Sequence, residues 1–302
     1  MNIKPVDYAD LQHALTVEAT HWVVLSAASE NENSFCKDAL ALCQKNDKGH
    51  ARRWPVQNDA SQEAVLEALK NIQQSGQKRL KLIVDVSELS PECIVHLCDA
   101  LMGADVDWQF DDVFFVISAD DENITPPELT SKMDQEVLEA DSADLLIFPG
   151  NSERVSTALL DGFSRHEGMK TVAMQASKKF FAQGMKPLVH HAELLENVVQ
   201  QKLNLAFYFS EPDALRVAFS AADKAADWCV SFPDRTHAFV IAPCASRWSI
   251  IAGCMARERY VRLCRSRAPN VQVVTSILSI PNQLNPTDDV PLKPPKVFQL
   301  EM

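Results

Sequence analysis

From His21 onward the chain alternates short apolar runs of strand length with longer stretches whose apolar residues recur at helical spacing. No other feature restricts the fold so strongly. Buried strands separated by amphipathic helices build mainly parallel sheets, with the crossover helices covering both faces. In the first half the strands are HWVVLSA, ARRWPV, LKLIVDVS and DVFFVIS, and Pro55 shortens the second. ENSFCKDALALCQ supplies a helix with Phe35, Ala39, Leu40 and Cys43 on one side. In DASQEAVLEALKNIQQSG, Asp59 or Ser61 caps a helix, Val65, Leu66, Leu69 and Ile72 line its apolar face, and Gly76 ends it. Ser90 caps the next helix, Pro91 takes its first position and Gly103 stops it.

After the connection NITPPELTSKMDQ the alternation resumes. ADLLIFP, KTVAM, HAFVIAP and VQVVTSI read as strands, and SERVSTALLDGFSRHEG, residues 176–201 and EPDALRVAFSAADKAADWC as helical. LNLAFYFS is a strand by composition or a lead into the following helix. The expected fold is α/β, three-layer and Rossmann-like, with two such units in tandem. They span residues 1–125 and 126–280, followed by a proline-rich tail over 281–302.

Several function classes are excluded by what the chain lacks. A formal net charge of -12 argues against nucleic-acid binding through bulk charge. No apolar run reaches membrane-spanning length. The opening MNIKPVDYADLQHAL has no basic-then-apolar leader pattern, so a cytoplasmic protein is expected. The P-loop pattern, GxGxxG, GxSxG and HExxH are all missing. The eight cysteines form no CxxC pair and read as buried thiols. Cys93 and His96 of CIVHLC share a helix face that Cys98 does not, and the adjacent His190 and His191 diverge, so no metal or cofactor is expected.

In open parallel sheets, ligands sit beyond the carboxyl ends of strands, where helix N-terminal amides point outward. Four turns occupy such places: SAASENEN, DVSELSPE, PGNSERVS and APCASRWS. Their candidate ligand-binding residues are Ser26, Asp85, Ser87, Ser90, Gly150, Asn151, Ser152, Ser246, Arg247 and Ser249. The same small polar residues are also what helix capping requires.

Two segments, KLIVDVSELSPECIVHLCDALM and AFVIAPCASRWSIIAGCMA, each run from an apolar strand through a polar turn into a helix that opens on small residues. This pattern resembles the CRISPR-associated Rossmann-fold (CARF) sensors and the related SAVED domains of bacterial defence systems. The resemblance implies a turn that contacts the phosphate of a cyclic oligonucleotide. In place of the family's Gly-Gly-Thr-Lys turn stand Ser87, Glu88 and Leu89, or Cys244, Ala245 and Ser246, with Arg247 about where the lysine would be. ADSADLLIFPGNSERVSTALLDGFSRHEGMKTVAM resembles the central segment of nucleoside deoxyribosyltransferase-like enzymes. That likeness implies a catalytic carboxylate, for which Glu153 and Asp161 are the candidates. Thr157 is followed by Ala158, Leu159 and Leu160, so Asp161 falls one position late for the family's spacing.

Six arginines and one acid, Glu258, lie between Arg247 and Arg267. Arg247 opens the helix near the strand edge, where it can meet a phosphate. Arg259, Arg262, Arg265 and Arg267 either complement the helix C-terminus and pair with surplus acids or dock an acidic partner or nucleic acid. On one stripe, Ser249 and Gly253 permit close approach to the sheet.

The leading expectation is a nucleotide-sensing or regulatory protein of a bacterial antiviral defence or stress system. It would take a small nucleotide ligand and work with a protein partner or as a homo-oligomer, touching nucleic acid only through the arginine cluster. The alternatives are a nucleotide-processing enzyme of N-glycosidase or phosphohydrolase type and a non-catalytic interaction subunit of a larger complex.

Overall fold

The computed structural model describes residues 2–18, 20–28, 34–45, 50–75, 80–103, 107–117, 135–148, 169–177, 202–208, 211–243, 247–278 and 295–301. The elements run β1 (Asn2–Val6), α1 (Tyr8–Val17), β2 (His21–Ala27), α2 (Ser34–Gln44), β3 (His50–Val56), α3 (Gln62–Gln74), β4 (Leu80–Asp85), α4 (Pro91–Met102) and β5 (Phe110–Ile117). There follow α5 (Gln135–Glu139), β6 (Ser142–Phe148), β7 (Met169–Ser177), β8 (Lys202–Tyr208), α6 (Glu211–Ser231), β9 (His237–Pro243), α7 (Arg247–Arg267), β10 (Val273–Ile277) and β11 (Lys296–Glu301). The fold is α/β, three-layer and Rossmann-like. Contacts divide it into one unit of Met1–Asp120 with Thr287–Met302 and a second unit of Asp121–Pro286.

The first unit holds a sheet of order β1-β11-β5-β4-β2-β3. From β5 to β3 the neighbours are parallel, whereas β11 is antiparallel to both β1 and β5. Along each strand the side chains alternate between faces. Trp22, Val24, Ile83, Phe114 and Val116 pack with Leu11 and Leu15 of α1 and with Phe35, Cys36, Ala39 and Cys43 of α2. Val23, Leu25, Leu82, Val84 and Phe115, also buried, belong to the opposite face. Val65, Leu69 and Ile72 are the buried positions of α3, which packs against α4. Ser61 caps α3 by accepting from Ala64 N, and Ser90 caps α4 by accepting from Cys93 N.

The tail departs from expectation. Its last residues are not an appendage but the strand β11, with Val297, Phe298 and Leu300 buried in the first sheet. The five prolines from Pro281 to Pro295 mask a short alternating strand that begins only at Lys296. β1 escaped notice for a similar reason. It contains Pro5, which an edge strand tolerates because one side of its ladder needs no donor. The second unit is thus inserted between β5 and β11, and its first residue is Asp121 rather than the expected 126.

That second unit holds a sheet of order β10-β9-β6-β7-β8, with every neighbouring pair parallel. LNLAFYFS resolves as the strand β8. The expected helix over 152–168 lies outside the described residues; of the helical region expected over 176–201, residues 176 and 177 instead end β7 and the rest lies outside the described residues. α6 and α7 pack on each other. Gly253 brings α7 close to the sheet: a Cβ there would lie 2.9 Å from Ile241 Cγ2 and 3.9 Å from Phe148 Cε2. Among the described residues, no helix is long and apolar enough to cross a membrane.

Candidate functional site

Each sheet has one place where neighbouring parallel strands send their connections in opposite directions. In the first unit that place is between β2 and β4. β2 leads through α2 to β3 on one side, and β4 leads through α4 to β5 on the other. This is the switch point of a flavodoxin-like strand order, where the loops part and leave a crevice. The β2–β4 pairing runs to Leu25↔Val84, so Ser26 and Asp85 come next on each strand. Both are buried, as is Ser87.

The polar groups at this edge bind one another closely. Asp85 Oδ1 accepts from Ser87 N at 3.1 Å and from Ser87 Oγ at 2.6 Å, which folds the strand end into an Asx-type turn. Ser90 serves as the α4 cap, and its own N–H donates to Asn58 O at 3.3 Å. Arg53 Nε donates to Ser26 Oγ at 3.0 Å, and Nη2 donates to Ala27 O at 2.6 Å. The sequence did not single out Arg53. Reaching the β2 end depends on the β3 register, which pairs Arg53 with Val24.

In the second unit the corresponding place is between β6 and β9. Numbered from β6, the strand order is that of a Rossmann sheet, with β6 leading towards β7 and β9 leading through α7 to β10. The two strands stay paired to Phe148↔Pro243. The segments leaving them contain Gly150, Asn151, Ser152, Glu153 and Asp161 on one side and Ser246 on the other, and all six lie outside the described residues. What the described residues do show is the opening of α7. Arg247 is its first residue, and Arg247, Trp248 and Ser249 are all buried, Arg247 to 1% exposure. No acid stands in that first turn. A buried cation at a helix N-terminus opposes the helix dipole and carries a desolvation cost, so its position runs against local preference.

The four distal arginines follow different chemistry. Arg259 holds Asp223 of α6 with two bonds, at 2.6 and 2.9 Å, and lies over the Phe219 ring. Arg262 pairs with Glu258 one turn back at 2.6 Å, and Arg267 pairs with Asp227 at 2.7 Å. Arg265 is exposed. Three of the four therefore tie α7 to α6 or to itself, which is the acid-pairing role expected of cations near a helix C-terminus.

A second polar cluster lies at the opposite, amino-terminal edge of this sheet. Ser142 Oγ is 2.7 Å from His237 Nδ1, and His237 Nε2 is 3.4 Å from Asp144 Oδ2. Tyr260 OH donates to His237 O at 3.1 Å, and Trp228 packs on the imidazole at a centroid distance of 4.5 Å. Ser142 and His237 are fully buried, and each opens its strand. They are separated by 95 residues, and only the β6–β9 pairing Ser142↔His237 brings them together. Among the described residues, no three His, Cys, Asp or Glu side chains form a group able to hold a metal ion.

No family model matches the chain, and no curated protein sequence matches it. Two solved structures show a distant likeness. One is assigned as an aspartate carbamoyltransferase of Leishmania major Friedlin, with 9% identity and a TM-score of 0.24 over 90% of this chain and 79% of that one. The other is PlmKR1, the ketoreductase from the first module of phoslactomycin biosynthesis in Streptomyces sp. HK803, with 10% identity and a TM-score of 0.26 over 94% of this chain and 83% of that one. Both likenesses are too distant to bear on what this chain does.

Proposed function

We propose that the chain senses a small phosphate-bearing nucleotide, binding it at the β6–β9 switch point rather than transforming it. One observation carries the reading: Arg247 is buried at the first position of α7, the helix that follows β9 at the switch point of a Rossmann-ordered sheet. A guanidinium and helix N-terminal amides together suit a phosphate dianion. The described polar side chains of the α7 opening, Arg247 and Ser249, are hydrogen-bond donors, which is what binding an anion needs. The resemblance of AFVIAPCASRWSIIAGCMA to CARF and SAVED domains supports a cyclic oligonucleotide as the ligand and a bacterial defence or stress system as the setting.

The test is calorimetric titration of the full chain with mononucleotides, cyclic dinucleotides and cyclic oligonucleotides, with phosphate-free nucleosides as controls. Saturable binding restricted to phosphate-bearing compounds is expected. Arg247→Lys keeps the charge but loses the bidentate fork, and should weaken binding about 10-fold or more with an unchanged unfolding midpoint. Absence of binding by every phosphate-bearing compound, or equal affinity in Arg247→Lys, would overturn the proposal.

A further inference from the structure

Two neighbouring arginines on the outer strand of the first sheet differ in their partners. β3 stands at the end of the strand order and pairs with β2. Side chains alternate between faces along a strand, so Arg52 and Arg53 point to opposite sides of the sheet. Arg53 donates from Nε to Ser26 Oγ and from Nη2 to Ala27 O. Arg52 has the same two nitrogens buried, and neither has a hydrogen-bond partner. Its guanidinium carbon lies 5.2 Å from the centre of the Trp54 ring, two residues on and on the same face.

The surroundings explain why that fork has nothing to hold. On β3 the same-face neighbours are His50, Trp54 and Val56, and across the ladder they are His21, Val23, Leu25 and Ala27. None of these seven side chains contains an oxygen. Glu63 and Glu67, the acids of α3, are exposed and leave the fork unpaired. Nε and Nη2 form the edge of an arginine that grips two oxygens at once, as Arg259 grips Asp223 through the same atoms at 2.6 and 2.9 Å. Kept from water without an acceptor, that edge costs stability, and attraction to the Trp54 face recovers only part of the cost. Such groups are rare in folded proteins, and a bound ion is one of the recognised reasons for them.

We propose that Arg52 anchors a binding site of the first unit that takes a small oxyanion, phosphate or carboxylate, on its guanidinium fork. Two oxygens of the anion accept from Nε and Nη2. The contact with Trp54 engages the face of the guanidinium and the anion engages its edge, so the two coexist. Arg52 and Trp54 are both half-buried, and they lie at the border of the sheet rather than in its core. Turning of these side chains therefore admits a ligand without breaking the strand ladder. This site is distinct from the opening of α7, and the inference does not rest on the nucleotide reading.

Thermal unfolding of the full chain in sodium chloride, sodium phosphate and sodium succinate, at equal ionic strength, tests it. Phosphate also stabilises proteins by exclusion from their surface, so the readout is the gain of the parent over that of Arg52→Met. Methionine keeps the apolar reach of the side chain and removes the unpaired donors. In chloride this variant should melt at or above the parent temperature. The parent should gain in a saturable way from phosphate, succinate or both, and Arg52→Met should show only the general effect. Arg52→Lys keeps a charge without the fork and should bind about 10-fold more weakly. Hydrogen exchange in a peptide spanning residues 50–56 should slow with the anion in the parent and not in Arg52→Met. Arg247→Lys should keep the whole gain, which separates this site from the one proposed at α7. A gain with phosphate alone identifies a phosphate group as the ligand, and a gain with succinate alone identifies a carboxylate. Equal gains in the parent and Arg52→Met would mean that the fork holds no oxyanion. A loss of stability in Arg52→Met in chloride would mean that the cation serves the fold itself. Either result overturns the proposal.

Discussion

Replacing Gly253 by Ala tests how closely α7 lies on the second sheet. The added methyl would sit 2.9 Å from Ile241 Cγ2, whereas carbon pairs are comfortable at about 3.5–4.0 Å. Ile241 cannot easily yield. Its Cγ2 is on a β-branched carbon with one favoured rotamer, and its strand is hydrogen-bonded to β6 on one side and β10 on the other. The helix must lift or the strand must bend, which typically costs about 1–3 kcal/mol. Alanine recovers about 0.8–1 kcal/mol of helix propensity over glycine. The net expectation is a loss of about 1 kcal/mol, or roughly 2–4 °C in melting temperature for a unit of this size. Urea denaturation measures the loss, and hydrogen exchange of α7 peptides assigns it to the second unit. A cycle with Ile241→Ala adds a sharper check. That change removes Cγ2 and opens a cavity, so the double variant should be about 1 kcal/mol more stable than the two single losses combined. If Gly253→Ala is as stable as the parent or more so, and the cycle shows no coupling, the close approach of α7 to β9 does not constrain the fold.

Asp85→Ala leaves Ser87 N–H and O–H buried without their acceptor and should cost about 1–3 kcal/mol in urea denaturation, with Asp85→Asn milder because its carbonyl oxygen still accepts. Lys81 bridges Glu18 and Asp112, each at 2.7 Å. Burial pulls its pKa down, but hydrogen bonds and attraction from the two carboxylates raise it above the ordinary 10.5. A raised lysine pKa stabilises fully below that ordinary value and ceases to stabilise as pH climbs through the raised one. The stability gap between the parent and Lys81→Met should therefore hold steady from neutral pH to about pH 9 and shrink at stronger alkalinity. Arg259→Met breaks a pair whose partners are 41% and 39% exposed, so it should cost no more than about 1 kcal/mol by thermal unfolding. A chain ending before Lys296 loses the burial of Val297, Phe298 and Leu300, about 1.5–3 kcal/mol each. That approaches the whole stability of a domain, so the first unit should lose its cooperative transition.

What the sequence revealed and what it hid separate along one physical line. Ser61, Ser90, Pro91 and Gly103 sit where capping chemistry places them, because a cap depends on neighbours only a few residues away. Ser26, Asp85 and Ser87 lie at strand ends, because strand length and turn composition are also local signals. Gly253 was legible for the same reason, as a small residue on the sheet-facing stripe. Arg53 was not, since its contact with Ser26 requires knowing that β3 pairs with β2 in a particular register. Nor were Ser142 and His237, which meet only across a strand pair. The arginine cluster fell between these cases. Its charge was plain, but Asp223 and Asp227 become its partners only once α6 lies beside α7.

The path of the chain makes the two sheets unequal in folding. All five strands of the second sheet come from one continuous stretch, so that unit can close as soon as it is synthesised. The first sheet cannot. Its strand β11 follows the inserted unit in sequence and pairs with β1 and with β5, so both wait until the inserted unit has been made. Until then β5 presents an open ladder edge, flanked by the buried side chains Val113, Phe115 and Val116, the kind of edge that recruits other strands. Contacts of such sequence separation form slowly because loop closure precedes any gain from pairing. The side chains at this seam are arranged to favour the correct strand. Gln299 pairs with Asp112, which also holds Lys81, and Lys4 pairs with Glu301 at 3.3 Å across the β1–β11 ladder. Register here is set by polar pairs as well as by Val297, Phe298 and Leu300, so a strand that matched only in hydrophobicity would leave Asp112 Oδ1 without the Gln299 donor.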